Sequence, residues 1–141
     1  MENWQRAVVP GVVAGAAVLL ARASALVVRV EGESMVPTFL PGDVVLTVRR
    51  PWRRRVRAGD LVVVRFPGRG NGYMIKRVAA VPGSGLPGWD AVDVPAGQVY
   101  VVGDGPRSYD SRHFGPLPQE RVVAHVVAQL SSPGGVERSV R

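Results

Sequence analysis

The chain has 141 residues and a mass of 15.1 kDa, which is enough for one domain with a sizeable core and too little for several. It carries a formal net charge of +7, a pI near 11.2 and 18 basic side chains, all of them arginine except Lys76. Cysteine is absent and only His113 and His125 occur, in unrelated contexts, which excludes a disulfide framework and a Cys-ligated metal site and argues against a histidine-based triad or metal site.

The single lysine is informative because a surface that merely needs positive charge accepts arginine. Arginine stays protonated in any protein environment, whereas a desolvated lysine gives up its proton and acts as a base.

Residues 7–21 (AVVPGVVAGAAVLLA) are apolar and uncharged, with Trp4 and Arg6 before them and Arg22 after. As a helix, this stretch spans about 22 Å, short of a ~30 Å hydrocarbon core unless Arg22 snorkels or the helix runs on towards Leu26. Ala23-Ser24-Ala25 also offers the A-x-A pattern of a cleaved leader. A retained membrane anchor over residues 1–25 is the preferred reading. Flanking charge leaves orientation open: Arg6 precedes the span, Arg22 and Arg29 follow it, and positive-inside counting mildly disfavours export of the following domain.

Beyond Arg22 the texture changes to short β-branched runs divided by Gly and Pro. Strands are expected over residues 26–31, 43–49, 61–66, 73–81, 98–102 and 121–129. Leu61-Val62-Val63-Val64 lacks alternation, as expected for a strand covered on both faces. Arg49, Arg50, Arg53, Arg54, Arg55 and Arg57 cluster around Pro51 and Trp52 in a loop suited to anionic lipid headgroups, to nucleic acid or simply to solvent. Residues 82–95 read as a loop or short ribbon. No helical period appears past residue 25, so the expected fold is all-β, with coiled antiparallel sheets forming a barrel-like core. The expected organisation is an anchor over 1–25, a domain over 26–130 and a flexible tail over 131–141.

Three segments carry chemistry. Gly32-Glu33-Ser34-Met35-Val36-Pro37-Thr38 follows a strand and ends in a turn, a placement that exposes a hydroxyl beside backbone amides. Tyr73-Met74-Ile75-Lys76-Arg77-Val78 sets the lysine in an apolar strand. At an ordinary pKa of ~10.4, only about one lysine in two thousand is neutral at pH 7, and burial removes most of that handicap. Residues 103–115 are too dense in polar turn formers for a plain hairpin. There an Asp110/Arg112 pair is placed to pin the loop while Ser108 or Ser111 reaches a reacting centre.

Together and in this order, the three segments and Gly59-Asp60 with its apolar run resemble the type I signal peptidase family of serine-lysine proteases, over roughly residues 5 to 128. The resemblance implies that Ser34 is the nucleophile, Lys76 the general base and Ser108 the hydroxyl that orients the lysine amine. It implies Asp110 and Arg112 as a bracing ion pair, and Val28, Val30 and Ile75 as the lining of pockets for small substrate side chains. The substrate would be added as a strand beside the nucleophile's strand, and the Ser34 backbone N–H would serve the oxyanion hole.

Two departures stand out. Gly32 replaces a hydroxyl residue that completes the oxyanion hole in some members, and Gly105 replaces the Asn of the closing G-D-N. The connection before Val99 also leaves no room for a large second β-domain.

The expected function is therefore a single-pass serine endopeptidase of the plasma membrane that removes leader or signal peptides, with its catalytic domain outside the cytoplasm. Its partners are precursors bearing a cleavable leader, and membrane lipid; no cofactor, metal or nucleic acid is implied. Alternatives are a dedicated maturation protease for one precursor, a self-cleaving regulator, and a basic nucleic-acid-binding β-barrel. Residues 1–25 cannot form the helix-turn-helix that the regulator requires.

Overall fold

A computed structural model describes residues 24–49 and 55–133. Its strands are β1 (Ala25–Arg29), β2 (Val44–Arg49), β3 (Leu61–Arg65), β4 (Tyr73–Val81), β5 (Ser84–Gly85), β6 (Gln98–Val102), β7 (Leu117–Pro118) and β8 (Val122–Ser131). They pair in the order β1-β2-β8-β3-β4-β6-β7, with β5 on β4, and every pairing is antiparallel. The sheet is open, with β1 and β7 at its ends. It curls far enough for β1 and β4 to line one cleft. The all-β, barrel-like expectation holds.

The interior has two apolar clusters, and β3 explains why. Val62 and Val64 pack with Val78, Val99, Val101 and Val122 on one side, while Leu61 joins Val30, Met35, Phe39 and Val45 on the other. A strand hydrogen-bonded on both edges and buried on both faces has no polar face to alternate with. In β2 the alternation is visible, with Val45 and Thr47 buried; the Thr47 hydroxyl is satisfied by donating to the Leu26 carbonyl at 3.0 Å.

The observed ends differ from expectation where tertiary bonds intervene. β1 stops at Arg29 rather than 31, and at the turn that follows Val30 still bonds across the hairpin: its N–H donates to the Asp43 carbonyl and its carbonyl accepts from Gly42. Strand β8 continues to Ser131, the first residue of the expected tail, and the Ser132 hydroxyl donates to buried Asp43 at 2.7 Å. Residues 82–95 form a short ribbon, in which β5 pairs with the end of β4.

The expectation of no helix past residue 25 is corrected by a four-residue helix, α1 (Ser111–Phe114), and a 3-10 turn at Gln119–Arg121. Asp110 caps α1, and one turn is too short to leave a helical period in sequence.

The expected N-terminal transmembrane helix falls on residues 1–23, outside the described residues, while Ala25 already belongs to β1. Among the described residues no helix is long and apolar enough to cross a membrane. The centre of the arginine loop, 50–54, and residues 134–141 also lie outside the described residues.

Candidate functional site

Lys76 sits in the middle of β4, directly opposite Val62 of β3, and is only 1% exposed. Cross-strand partners bring their Cβ atoms to about 5 Å, so the lysine stem lies beside a fully buried valine. Its Nζ donates to Ser108 Oγ at 2.9 Å. Burial is the main influence on the ammonium and pulls its pKa from 10.5 down to about 8. Asp110 opposes that fall, while Arg112 and Arg69 add to it by repulsion. At pH 8 such a lysine is neutral about two orders of magnitude more often than an ordinary one.

Ser108 is held by Asp110, which is fully buried and gathers an unusual number of donors. Its Oδ1 accepts from Arg112 Nε at 2.9 Å, and its Oδ2 accepts from Arg112 Nη2 at 2.6 Å and from the Gly103 N–H at 2.8 Å. Burial alone would raise this carboxyl. The hydrogen bonds from Arg112, Gly103 and the Ser108 hydroxyl outweigh it and hold the group well below the usual carboxylate range. With its own O–H turned to Asp110, Ser108 offers a lone pair to Lys76. The lysine amine spends one N–H on that bond.

Ser34 lies in the turn after β1 and lines the same cleft as Lys76, together with Val28, Val30 and Ile75. The structure thus gathers Ser34, Lys76 and the three apolar residues around one cavity of about 300 Å³, with Ser108, Asp110 and Arg112 behind the lysine. No direct hydrogen bond joins Ser34 to Lys76 among the described residues. The Ser34 N–H likewise has no hydrogen-bond acceptor among them.

The Ser34 turn is pressed against the Ser108 loop, and two glycines make that approach possible. The Gly105 N–H donates to the Ser34 carbonyl at 2.8 Å. A Cβ at Gly105 would collide with the Glu33 carbonyl, and one at Gly103 with Ser108 Oγ and the Ser34 carbonyl. Gly105 is therefore a contact point of the site and more than a matter of loop shape. Gly32, by contrast, has φ of 74° and open space where a side chain would go.

Sequence reasoning assigned no role to a second brace. Asp104 takes Arg77 Nε at 2.9 Å and Nη2 at 2.8 Å, and accepts from the Thr38 hydroxyl at 2.5 Å. Burial disfavours its charge, but these bonds prevail and its carboxyl titrates below the ordinary value. The brace ties the turn of Ser34 to the strand of Lys76. Its members stand inside the quoted motifs, but nothing in their spacing reveals that they meet. The stacking of Arg69 on Tyr109 is equally invisible in sequence, because a stacked pair 40 residues apart leaves no local pattern. Among the described residues no group of three or more His, Cys, Asp or Glu side chains is gathered to hold a metal ion.

The family described as signal peptidase, peptidase S26, matches residues 1–86 and 84–130. The chain is 34% identical over 117 residues to mitochondrial ATP-independent inner membrane protease subunit 1a of Arabidopsis thaliana, covering 74% of this chain and 70% of that protein. It is 37% identical over 122 residues to mitochondrial inner membrane protease subunit 2 of Mus musculus, covering 77% and 69%. Signal peptidase I V of Bacillus subtilis matches at 28% over 135 residues, covering 67% and 79%. The chain spans about two thirds of the length of the curated relatives it matches. With a family match across most of its length and relatives above 30% identity, the chain belongs to the signal peptidase family, peptidase S26.

Proposed function

We propose that the chain is a membrane-anchored serine endopeptidase that removes leader or signal peptides after small residues, with Ser34 as nucleophile and Lys76 as general base. The observation that carries this reading is the buried Lys76 amine, hydrogen-bonded to Ser108 and lining one cleft with Ser34. An amine that donates to Ser108 keeps its lone pair for another proton, and the Ser34 hydroxyl is the candidate source.

As Ser34 Oγ attacks the scissile carbonyl carbon, its proton passes to Lys76 Nζ, and the carbonyl π electrons move onto oxygen. The Ser34 N–H meets that oxyanion. Collapse breaks the C–N bond, and the departing amine takes the proton from the Lys76 ammonium, leaving an ester on Ser34. Lys76 then takes a proton from water, the hydroxide adds to the ester, and the Ser34 oxygen leaves with that proton.

Val28, Val30 and Ile75 fit this reading as the walls that receive small apolar side chains before the scissile bond. An extended substrate would lie along β1, which among the described residues is an edge strand paired on one side only. The apolar segment over 7–21 is the proposed anchor, with the catalytic domain on the extracytoplasmic side of the plasma membrane.

The purified full chain in detergent should cleave an A-x-A peptide, and Ser34→Ala and Lys76→Arg should each abolish turnover. A normal rate in Lys76→Arg would refute the mechanism, because arginine cannot serve as the base.

A further inference from the structure

Past Ser108 the cleft runs into a second hollow, lined by Arg69, Arg107, Ser108, Tyr109, Arg112 and His113. The two hollows meet at Arg69, Arg107 and Tyr109, which line both. The β1 end of the cleft carries Val28 and Val30 with Glu31 and Glu33, whereas no acidic side chain lines the far end.

Of its three guanidinium groups, Arg112 is already spent on Asp110. The Arg69 guanidinium is held at 3.6 Å over the Tyr109 ring, and among the described residues it makes no hydrogen bond or ion pair, although the Arg69 carbonyl accepts from the Gly72 N–H. Stacking occupies the guanidinium face and leaves its in-plane N–H edges directed outwards, the geometry that takes a carboxylate in a two-pronged bond. Tyr109 is itself fixed, with Phe66, His113 and Phe114 rings at centroid distances of 6.0, 5.2 and 5.2 Å. Arg107 is exposed on the same wall, also without a partner among the described residues.

We propose that Arg69, seated on Tyr109 and assisted by Arg107, is a carboxylate-binding subsite for an Asp or Glu in the first residues after the scissile bond. The inference rests on the peptidase reading above. In that reading the apolar β1 end holds the acyl side of the substrate, so the departing segment leaves past Ser108 towards the cations. Two cations with no acidic partner beside the reacting centre favour a peptide carboxylate, and Arg69's rigid seat supplies specificity as well as charge.

The test uses the purified full chain in uncharged detergent and two A-x-A peptides. They are identical except for Glu or Gln at the second residue after the scissile bond. The wild type should cleave the Glu peptide with a KM about five- to tenfold lower, with kcat little changed between the two, because the contact is made equally before and during the reaction. Arg69→Gln should bring the KM ratio close to one, and Tyr109→Leu should reduce it by loosening the seat.

Arg69→Glu supplies a gain that misfolding cannot imitate: it should reverse the preference, favouring a peptide with Lys at that position. Equal KM values for Glu and Gln peptides in the wild type would overturn the subsite alone. Cleavage of neither peptide would remove the peptidase reading and the subsite with it. An unchanged KM ratio in Arg69→Gln, with lost binding to phosphatidylglycerol vesicles, would overturn the proposal by assigning the cations to lipid headgroups.

Discussion

Lys76 Nζ meets Ser108 Oγ at 2.9 Å, and the same hydroxyl leans on Asp110, so a strand lysine and a buried carboxylate are joined through one serine. This relay places a cation and an anion close together without letting them pair directly. Direct pairing would keep the lysine charged. The interposed hydroxyl weakens the attraction and allows burial to dominate the amine's titration.

A rate controlled by neutral Lys76 should rise about tenfold per pH unit on the acid side and level off above about pH 8. Measuring kcat/KM from pH 6 to 10 checks this. A midpoint near the ordinary lysine value of 10.5 would mean that the amine is not desolvated in solution.

The same titration bears on stability. The folded lysine titrates near 8 and the unfolded one near 10.5, so between these values the unfolded chain binds more protons and stability rises with pH. Below about pH 8 the fold carries the whole penalty of the buried ammonium, about 3 kcal/mol. Lys76→Met should therefore raise Tm at pH 7, and its advantage should shrink as the pH approaches 10.5.

Ser108→Ala removes the only hydrogen-bond partner of Nζ among the described residues. The amine then loses its fixed direction, and kcat should fall on the order of 10²-fold with KM little changed, since a misdirected base impairs the proton transfer and spares binding. Single-turnover kinetics on the A-x-A peptide would separate the two quantities.

Asp110→Asn leaves the Gly103 N–H and Arg112 facing a neutral, poorly matched side chain inside the protein. A loss of about 3 kcal/mol is expected, measured by urea unfolding at pH 7. Because the native carboxyl titrates far below its ordinary 3.8, its contribution is present above about pH 4 and is lost as the pH falls further. The wild-type advantage over Asp110→Asn should therefore disappear in acid.

Gly105→Asn introduces a Cβ where the Glu33 carbonyl stands, and so must displace the Ser34 turn or the Ser108 loop. A displacement near 1 Å costs about 10² in rate. Activity should fall accordingly, while circular dichroism keeps its β signature. Full activity would show that the two loops separate without consequence.

Much of this was legible in the chain itself. The apolar run of β3 and the β-branched strands β4 and β6 stand out because burial and pleat write directly into local composition. The lone lysine and the serine turn were visible for a similar reason, being chemical exceptions within their own neighbourhoods. α1 was not visible, since its four residues depend on one capping aspartate rather than on a repeating pattern.

The relations that make a site out of these residues belong to tertiary structure. Lys76 and Ser108 are 32 positions apart, and Thr38 and Asp104 are 66 apart. Such distances are set when the sheet curls and brings β4 and the loop after β6 against the turn after β1, and no local period encodes them. The need for glycine at 103 and 105, the Arg77–Asp104 brace and the stacking of Arg69 on Tyr109 have the same origin. Sequence determined which groups are present and which strands carry them. Packing decided which groups touch, and so stripped Lys76 of the water that would have kept it charged.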